Sequence, residues 1–129
     1  MIKERSRYIV IRFISSSPMN EREAWKAVSL EIRKIFGVYG AARVGLYLSY
    51  FDFELQTGIF RSSHNCISHV RTGLCYIHKY NNHYLYAFSD YVSGTLKKCK
   101  EYLKNPKSQT AYSSLRQLLL KQEKPLKTQ

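Results

Sequence analysis

The chain has 129 residues and sets 21 Lys and Arg against nine Asp and Glu, a formal net charge of +12. With 44% hydrophobic and 14% aromatic residues it has the means to bury a core, which argues against a disordered polyelectrolyte, and its length fits one domain. The excess of cations is the balance of a protein that works against a polyanion.

In chain order, YIVIRFIS (8–15) is β-branched and aromatic, with Ile9, Ile11 and Phe13 on one face and Tyr8, Val10, Arg12 and Ile14 on the other. It predicts a strand covered on both sides. SSSP breaks it, and Asn20 followed by Glu23 gives a capping-box pattern before a helix with Trp25, Val28, Ile32 and Ile35 on its apolar stripe. Gly37 supplies the stop. RVGLYLSYF (43–51) and GIFRS (58–62), separated by DFELQT, predict a hairpin. Ser62 or Ser63 is the expected cap of a second helix carrying Ile67, Val70, Leu74 and Ile77, weakened at Gly73. After an NNH turn, YLYAFSDYV (84–92) predicts a fourth strand. A third helix follows Ser93-Gly94-Thr95, with Leu96, Cys99 and Leu103 as its stripe, and ends at Asn105-Pro106. Ser108 is the expected cap of a last helix, before a frayed tail.

The order β-α-β-β-α-β predicts an α+β, ferredoxin-like domain with a four-stranded antiparallel sheet over residues 1–104, and a basic C-terminal helix and tail over 105–129. Many RNA-binding modules share that order, as do enzymes and metal-binding domains, so function must be argued from sites.

Three constellations can be weighed. RNA-recognition sheets stack bases on aromatics of their central strands, and the third strand here, QTGIFRSS, offers only Phe60, so ordinary base stacking there is not expected. His64, Cys66, His69, Cys75 and His78 are all capable zinc ligands, but at about 100° per helical residue Cys75 and His78 turn away from Cys66 and His69. A zinc module on His64, Cys66 and His69 remains an alternative. The acids outside helices and tails, Asp52, Glu54 and Asp90, form no sequence-local pair, and there is no nucleotide loop or nucleophile elbow, so no self-sufficient active site is expected. The cysteines Cys66, Cys75 and Cys99 form no CxxC pair and imply neither a disulfide framework nor a zinc ribbon. The YIVIRFI run is interrupted by Arg12 and too short for a signal-peptide core or a membrane span. A soluble intracellular protein in a reducing compartment is expected, with no membrane contact.

Charge is lopsided. From Lys97 onward eight Lys and one Arg face Glu101 and Glu123, and Arg5, Arg7 and Arg12 form a second cluster at the start. If the first and fourth strands are neighbours, the two clusters meet. Lys97 and Lys98 occupy the first turn of their helix, where the dipole prefers acids, which marks them as partners for an anion.

Taken together, RYIVIRF near the N-terminus, FGVYG at 36–40, GIFRS with its Arg61, the helical VRTGL and VSGTLKK resemble the protein component 2 family of archaeal ribonuclease P, related to a small subunit of the eukaryotic enzyme. The resemblance runs from about Arg5 to Leu103 and omits the Lys-rich extension. It implies an RNA-recognition-like fold and a ribonucleoprotein that removes the 5′ leader of precursor tRNA. It implies that the RNA does the chemistry with Mg²⁺, that the protein binds no cofactor, and that the protein stabilises the catalytic RNA, meeting precursor tRNA only indirectly. The implied protein partner is component 3, a β/α-barrel subunit, in a two-plus-two heterotetramer. By this resemblance and by charge, Arg7, Arg12, Arg61, Ser93, Gly94, Thr95, Lys97 and Lys98 are the expected RNA contacts. Arg12 and Arg61 could instead anchor the partner protein or a buried carboxylate. The expected compartment is the cytoplasm, or the nucleus in a eukaryote. A generic RNA-binding or ribosomal accessory protein is the other reading.

Overall fold

The computed structural model describes residues 5–127. The ends of the expected 1–104 domain and 105–129 extension, residues 1–4 and 128–129, lie outside the described residues. The elements are β1 (Ser6–Ser15), α1 (Glu21–Val44), β2 (Tyr47–Asp52), β3 (Thr57–Ser63), α2 (Ile67–Tyr76), β4 (Lys79–Tyr80), β5 (His83–Ser93), α3 (Leu96–Leu103) and α4 (Pro106–Lys127).

All strand pairs are antiparallel and the sheet order is β2-β3-β1-β5-β4. β1 therefore lies beside the strand that leads into α3, as expected of neighbouring first and fourth long strands. A four-stranded sheet is corrected to five strands: Lys79 and Tyr80 pair back onto Tyr84 and His83 across a tight turn. Asn81 and Asn82 both take positive φ, 49° and 65°, which suits a two-residue hairpin turn and residues that tolerate the left-handed region.

α1 begins with the capping box. The Asn20 side chain accepts from the Glu23 amide at 2.9 Å, and the Glu23 carboxylate accepts from the Asn20 amide at 3.2 Å. Gly37, at φ 75° and ψ −177°, breaks the helix as expected, but a second helical segment resumes and runs to Val44. Gly45, at φ 60°, is its C-cap, so the residues 43–46 expected in the strand belong to a helix end and its exit, and β2 starts only at Tyr47. Neither Ser62 nor Ser63 caps α2. A 3-10 turn over His64–Cys66 precedes it, and the Ser62 hydroxyl is buried, donating to the Val44 carbonyl at 3.1 Å. Gly73 is a packing residue: a Cβ there would stand 3.0 Å from the Ile32 side chain, so its absence lets α2 lie close on α1.

Pleat alternation separates two cores. Ile9, Ile11, Phe13 and Phe60 face α1 and α2, where they meet Val28, Ile32, Val70 and Leu74. Val10 and Ile59 face the opposite side and meet Cys99 and Leu103 of α3, with Tyr8, Tyr50, Tyr91 and Tyr102 around them. The sheet is thus sandwiched between helices. α4 begins at Pro106 with Asn105, not Ser108, as its cap: the Asn105 side chain accepts from the Lys107 amide at 2.9 Å. It is tied to the sheet through Tyr112, whose hydroxyl donates to the Phe13 carbonyl at 2.5 Å. The helix runs to Lys127, and the last two residues of the tail expected to fray, 128–129, lie outside the described residues. Among the described residues no helix is long and apolar enough to cross a membrane.

Candidate nucleic-acid interface

The strand-to-helix corner at 93–98 is held by its own hydroxyls. Ser93 Oγ accepts from the Thr95 amide at 3.3 Å, and Thr95 Oγ1, the N-cap of α3, accepts from the Lys98 amide at 3.3 Å. Each hydroxyl keeps its own O–H to donate. Gly94 is exposed, and the Arg7 guanidinium lies 3.7 Å from where a side chain at Gly94 would begin. The start of β1 and the start of α3 therefore meet, as the charge distribution anticipated. Lys97 and Lys98 are exposed, and no acid lies in the first turn of α3.

Arg61 is exposed and stands opposite Tyr8 on one side and Tyr47 on the other, while Tyr8 stands opposite Ser93. Directly paired positions share a face of the sheet, so Tyr47, Arg61, Tyr8 and Ser93 form one row across four strands. Lys100, which sequence reasoning passed over, joins this side: its ammonium lies 4.9 Å above the Tyr50 ring.

Arg12 is the exception among the expected RNA contacts. It is fully buried, its Nε donating to Asp90 at 3.0 Å, Nη1 to the Thr57 hydroxyl at 3.1 Å and Nη2 to the Ser108 hydroxyl at 3.4 Å. The guanidinium also lies 4.9 Å from the Tyr112 ring and 5.9 Å from the Tyr102 ring. It anchors the half-buried Asp90 carboxylate and clamps α3 and α4 to β1, which removes it from the surface. Burial pushes the Tyr102 hydroxyl above its ordinary pKa, helped by the hydrogen bond it donates to Asp90 and by that carboxylate's charge, against the Arg12 cation. Tyr102 in turn stacks on Tyr91 with centroids 4.4 Å apart and planes 5° from parallel.

Among the described residues Arg12–Asp90 is the one ion pair. Arg7, Arg61, Lys97, Lys98 and Lys100, around one corner of the sheet, therefore have no carboxylate partner among the described residues. Phe60, the aromatic that an RNA-recognition sheet would use, is buried against α1. No three His, Cys, Asp or Glu side chains come together as metal ligands among the described residues. His64 Nδ1 pairs with the Arg5 carbonyl at 3.2 Å, Cys66 Sγ lies 3.6 Å from the Arg43 carbonyl, and the His69 ring packs on Phe36 at 4.8 Å. The zinc alternative has no geometry to stand on here.

The fold and this corner define a basic α/β domain with several cations where two chain segments converge. Residues 7–104 match the Rpp14/Pop5 family, and the chain belongs to that family. It is 33% identical over 99 residues to ribonuclease P protein component 2 of Archaeoglobus fulgidus, covering 77% of this chain and 88% of that protein. The counterpart from Thermococcus gammatolerans is 29% identical over 99 residues, covering 77% and 82%. A chain of the cryo-EM structure of yeast ribonuclease MRP superposes over 100% of this chain and 99% of its own length, with a TM-score of 0.60 at 11% identity, which is a likeness of fold.

Proposed function

We propose that this chain is an RNA-binding protein subunit of the ribonuclease P ribonucleoprotein, stabilising the catalytic RNA during removal of the 5′ leader from precursor tRNA. The observation that carries the reading is the set of cations on the β1–α3 corner, without carboxylate partners among the described residues, of a chain in the Rpp14/Pop5 family. Lys97, Lys98, Arg7 and Arg61 would neutralise phosphates, while the Ser93 and Thr95 hydroxyls and the open backbone at Gly94 allow close approach. A phosphate there turns an unfavourable lysine–dipole contact into a bridged favourable one. The helices on both faces of the sheet support backbone binding at its corner over base reading on its face. Chemistry and Mg²⁺ belong to the RNA in this reading, and the chain alone cleaves nothing.

The expected protein partner is component 3, in a two-plus-two assembly. Around the α1 break, Val38 and Tyr39 are 68% and 90% exposed, and Leu30 on the preceding turns is 52% exposed. A groove lined by Trp25, Leu30, Ile32, Val38 and Leu46 runs alongside. Apolar surface of this kind favours a protein contact there.

The test is a salt titration of binding to structured RNA. Replacing Lys97→Glu and Lys98→Glu together should weaken binding and flatten the dependence of log K on log salt by about two, near one per lost phosphate contact. A variant that follows the parent across the titration would dismiss the phosphate assignment.

A further inference from the structure

Beside the cationic corner the structure holds a shallow groove lined by Tyr91, Lys98, Glu101, Tyr102 and Asn105. Its floor is the stacked Tyr91–Tyr102 pair, with ring planes 5° apart. Both rings are half-buried, which makes them a rigid platform rather than mobile surface side chains. Tyr102 is fixed from below, its ring lying 5.9 Å from the buried Arg12 guanidinium. The rim is polar and exposed: Lys98 brings a cation, Glu101 an acceptor, and Asn105 a side-chain amide whose oxygen already accepts from the Lys107 amide, leaving its NH₂ to donate.

We infer that this groove receives one unpaired nucleobase of the RNA, laid against the Tyr91–Tyr102 stack with its phosphate toward Lys98. The inference rests on the RNA-binding reading and adds an unpaired nucleotide to what was otherwise phosphate recognition. Three observations argue for a nucleotide over other occupants. Parallel aromatic rings offer the flat π-surface that a base extends and an aliphatic side chain does not. The cation on the rim belongs to the same helix turn as the proposed phosphate site, so one nucleotide can span both. The surrounding segment, strongly basic from Lys97 onward, complements a polyanion. A base in a duplex cannot enter, because its faces are already stacked; the site therefore selects a bulge, loop or strand end.

The test compares the full chain with Tyr91→Leu and Tyr91→Phe on a short unpaired oligoribonucleotide, a copy of it with abasic positions, and a fully paired hairpin. Base–aromatic stacking predicts that Tyr91→Leu binds the unpaired probe about 5- to 100-fold more weakly, while Tyr91→Phe keeps the parent affinity and the hairpin is bound equally by all three. The abasic probe should lower the parent's affinity by a similar factor and leave Tyr91→Leu unchanged. Parent-like binding of the unpaired probe by Tyr91→Leu, or equal binding of the intact and abasic probes by the parent, overturns the inference. The latter result holds even if Tyr91→Leu fails to fold. The Lys97→Glu, Lys98→Glu chain separates the two claims: if it loses RNA while base removal has no effect, phosphate binding stands and the base site falls.

Discussion

Replacing Asp90 by Ala should unfold this protein more readily than replacing its partner Arg12 by Leu. Arg12 is fully buried and Asp90's side chain is 25% exposed, so the two ends of the pair respond differently to losing each other. Removing Asp90 leaves a buried guanidinium with only the Thr57 and Ser108 hydroxyls as neutral acceptors, and a broken buried pair costs about 3–5 kcal/mol. Removing Arg12 leaves a carboxylate that can reach water. Its cost is then the lost hydrogen bonds and the packing against Tyr102 and Tyr112, about 2–3 kcal/mol together. The double substitution should cost at least 1 kcal/mol less than the sum, the signature of direct coupling. Against a total stability of about 5–15 kcal/mol these are large fractions, measurable by urea unfolding followed through Trp25, the single tryptophan. Simple additivity, with Asp90→Ala costing under about 1 kcal/mol, would refute the assignment of Arg12 as a clamp.

Gly37→Ala should destabilise by about 1–3 kcal/mol through backbone strain alone, since φ 75° with ψ −177° suits glycine and no atom lies within 4 Å of an added Cβ; a neutral result in urea unfolding would contradict the break in α1. Tyr112→Phe leaves the Phe13 carbonyl without its buried donor and should cost about 1–3 kcal/mol, with faster amide exchange in the first turns of α4; unchanged exchange would mean that α4 is not held through this bond. Cys99 supplies a pH test. Burial raises its thiol from 9.0 to about 11, against a smaller lowering by a hydrogen bond from the Ser93 backbone. Because the folded pKa exceeds the unfolded one, its contribution is complete below pH 9.0 and is lost as pH rises toward 11. The stability difference between the parent and Cys99→Ala should shrink over that window, and parallel curves would contradict it.

The long elements were legible because each carried its period and punctuation together: the Asn20–Glu23 capping box, the alternation of β1, and Thr95 before α3. What escaped was set by short or tertiary features. β4 is two residues long and exists only by pairing with β5, and the segment after Gly37 is helical although the glycine before it reads as a stop. Ser108 looked like a cap because Ser commonly is one, yet Asn105 with Pro106 is the stronger start signal and leaves Ser108 free to face Arg12. Arg12 itself was readable in part. A cation between Ile11 and Phe13 on a strand covered on both sides, with Asp90 among the few acids outside helices, is a buried pair in outline; the rings that enclose it come from α3 and α4, distant in sequence. The Tyr91–Tyr102 stack joins β5 to α3 and has no local sequence signal.

The central claim is that this chain assists a catalytic RNA through its cationic corner. Its most direct test is precursor-tRNA cleavage by the ribonuclease P RNA of the same organism with Mg²⁺ and the component 3 protein, with the parent chain, with the Lys97→Glu, Lys98→Glu chain, or with neither added. The parent should raise cleavage, the variant should raise it less, and added salt should narrow the gap between parent and no chain at all as stimulation is lost. Equal cleavage with and without the parent chain would contradict it.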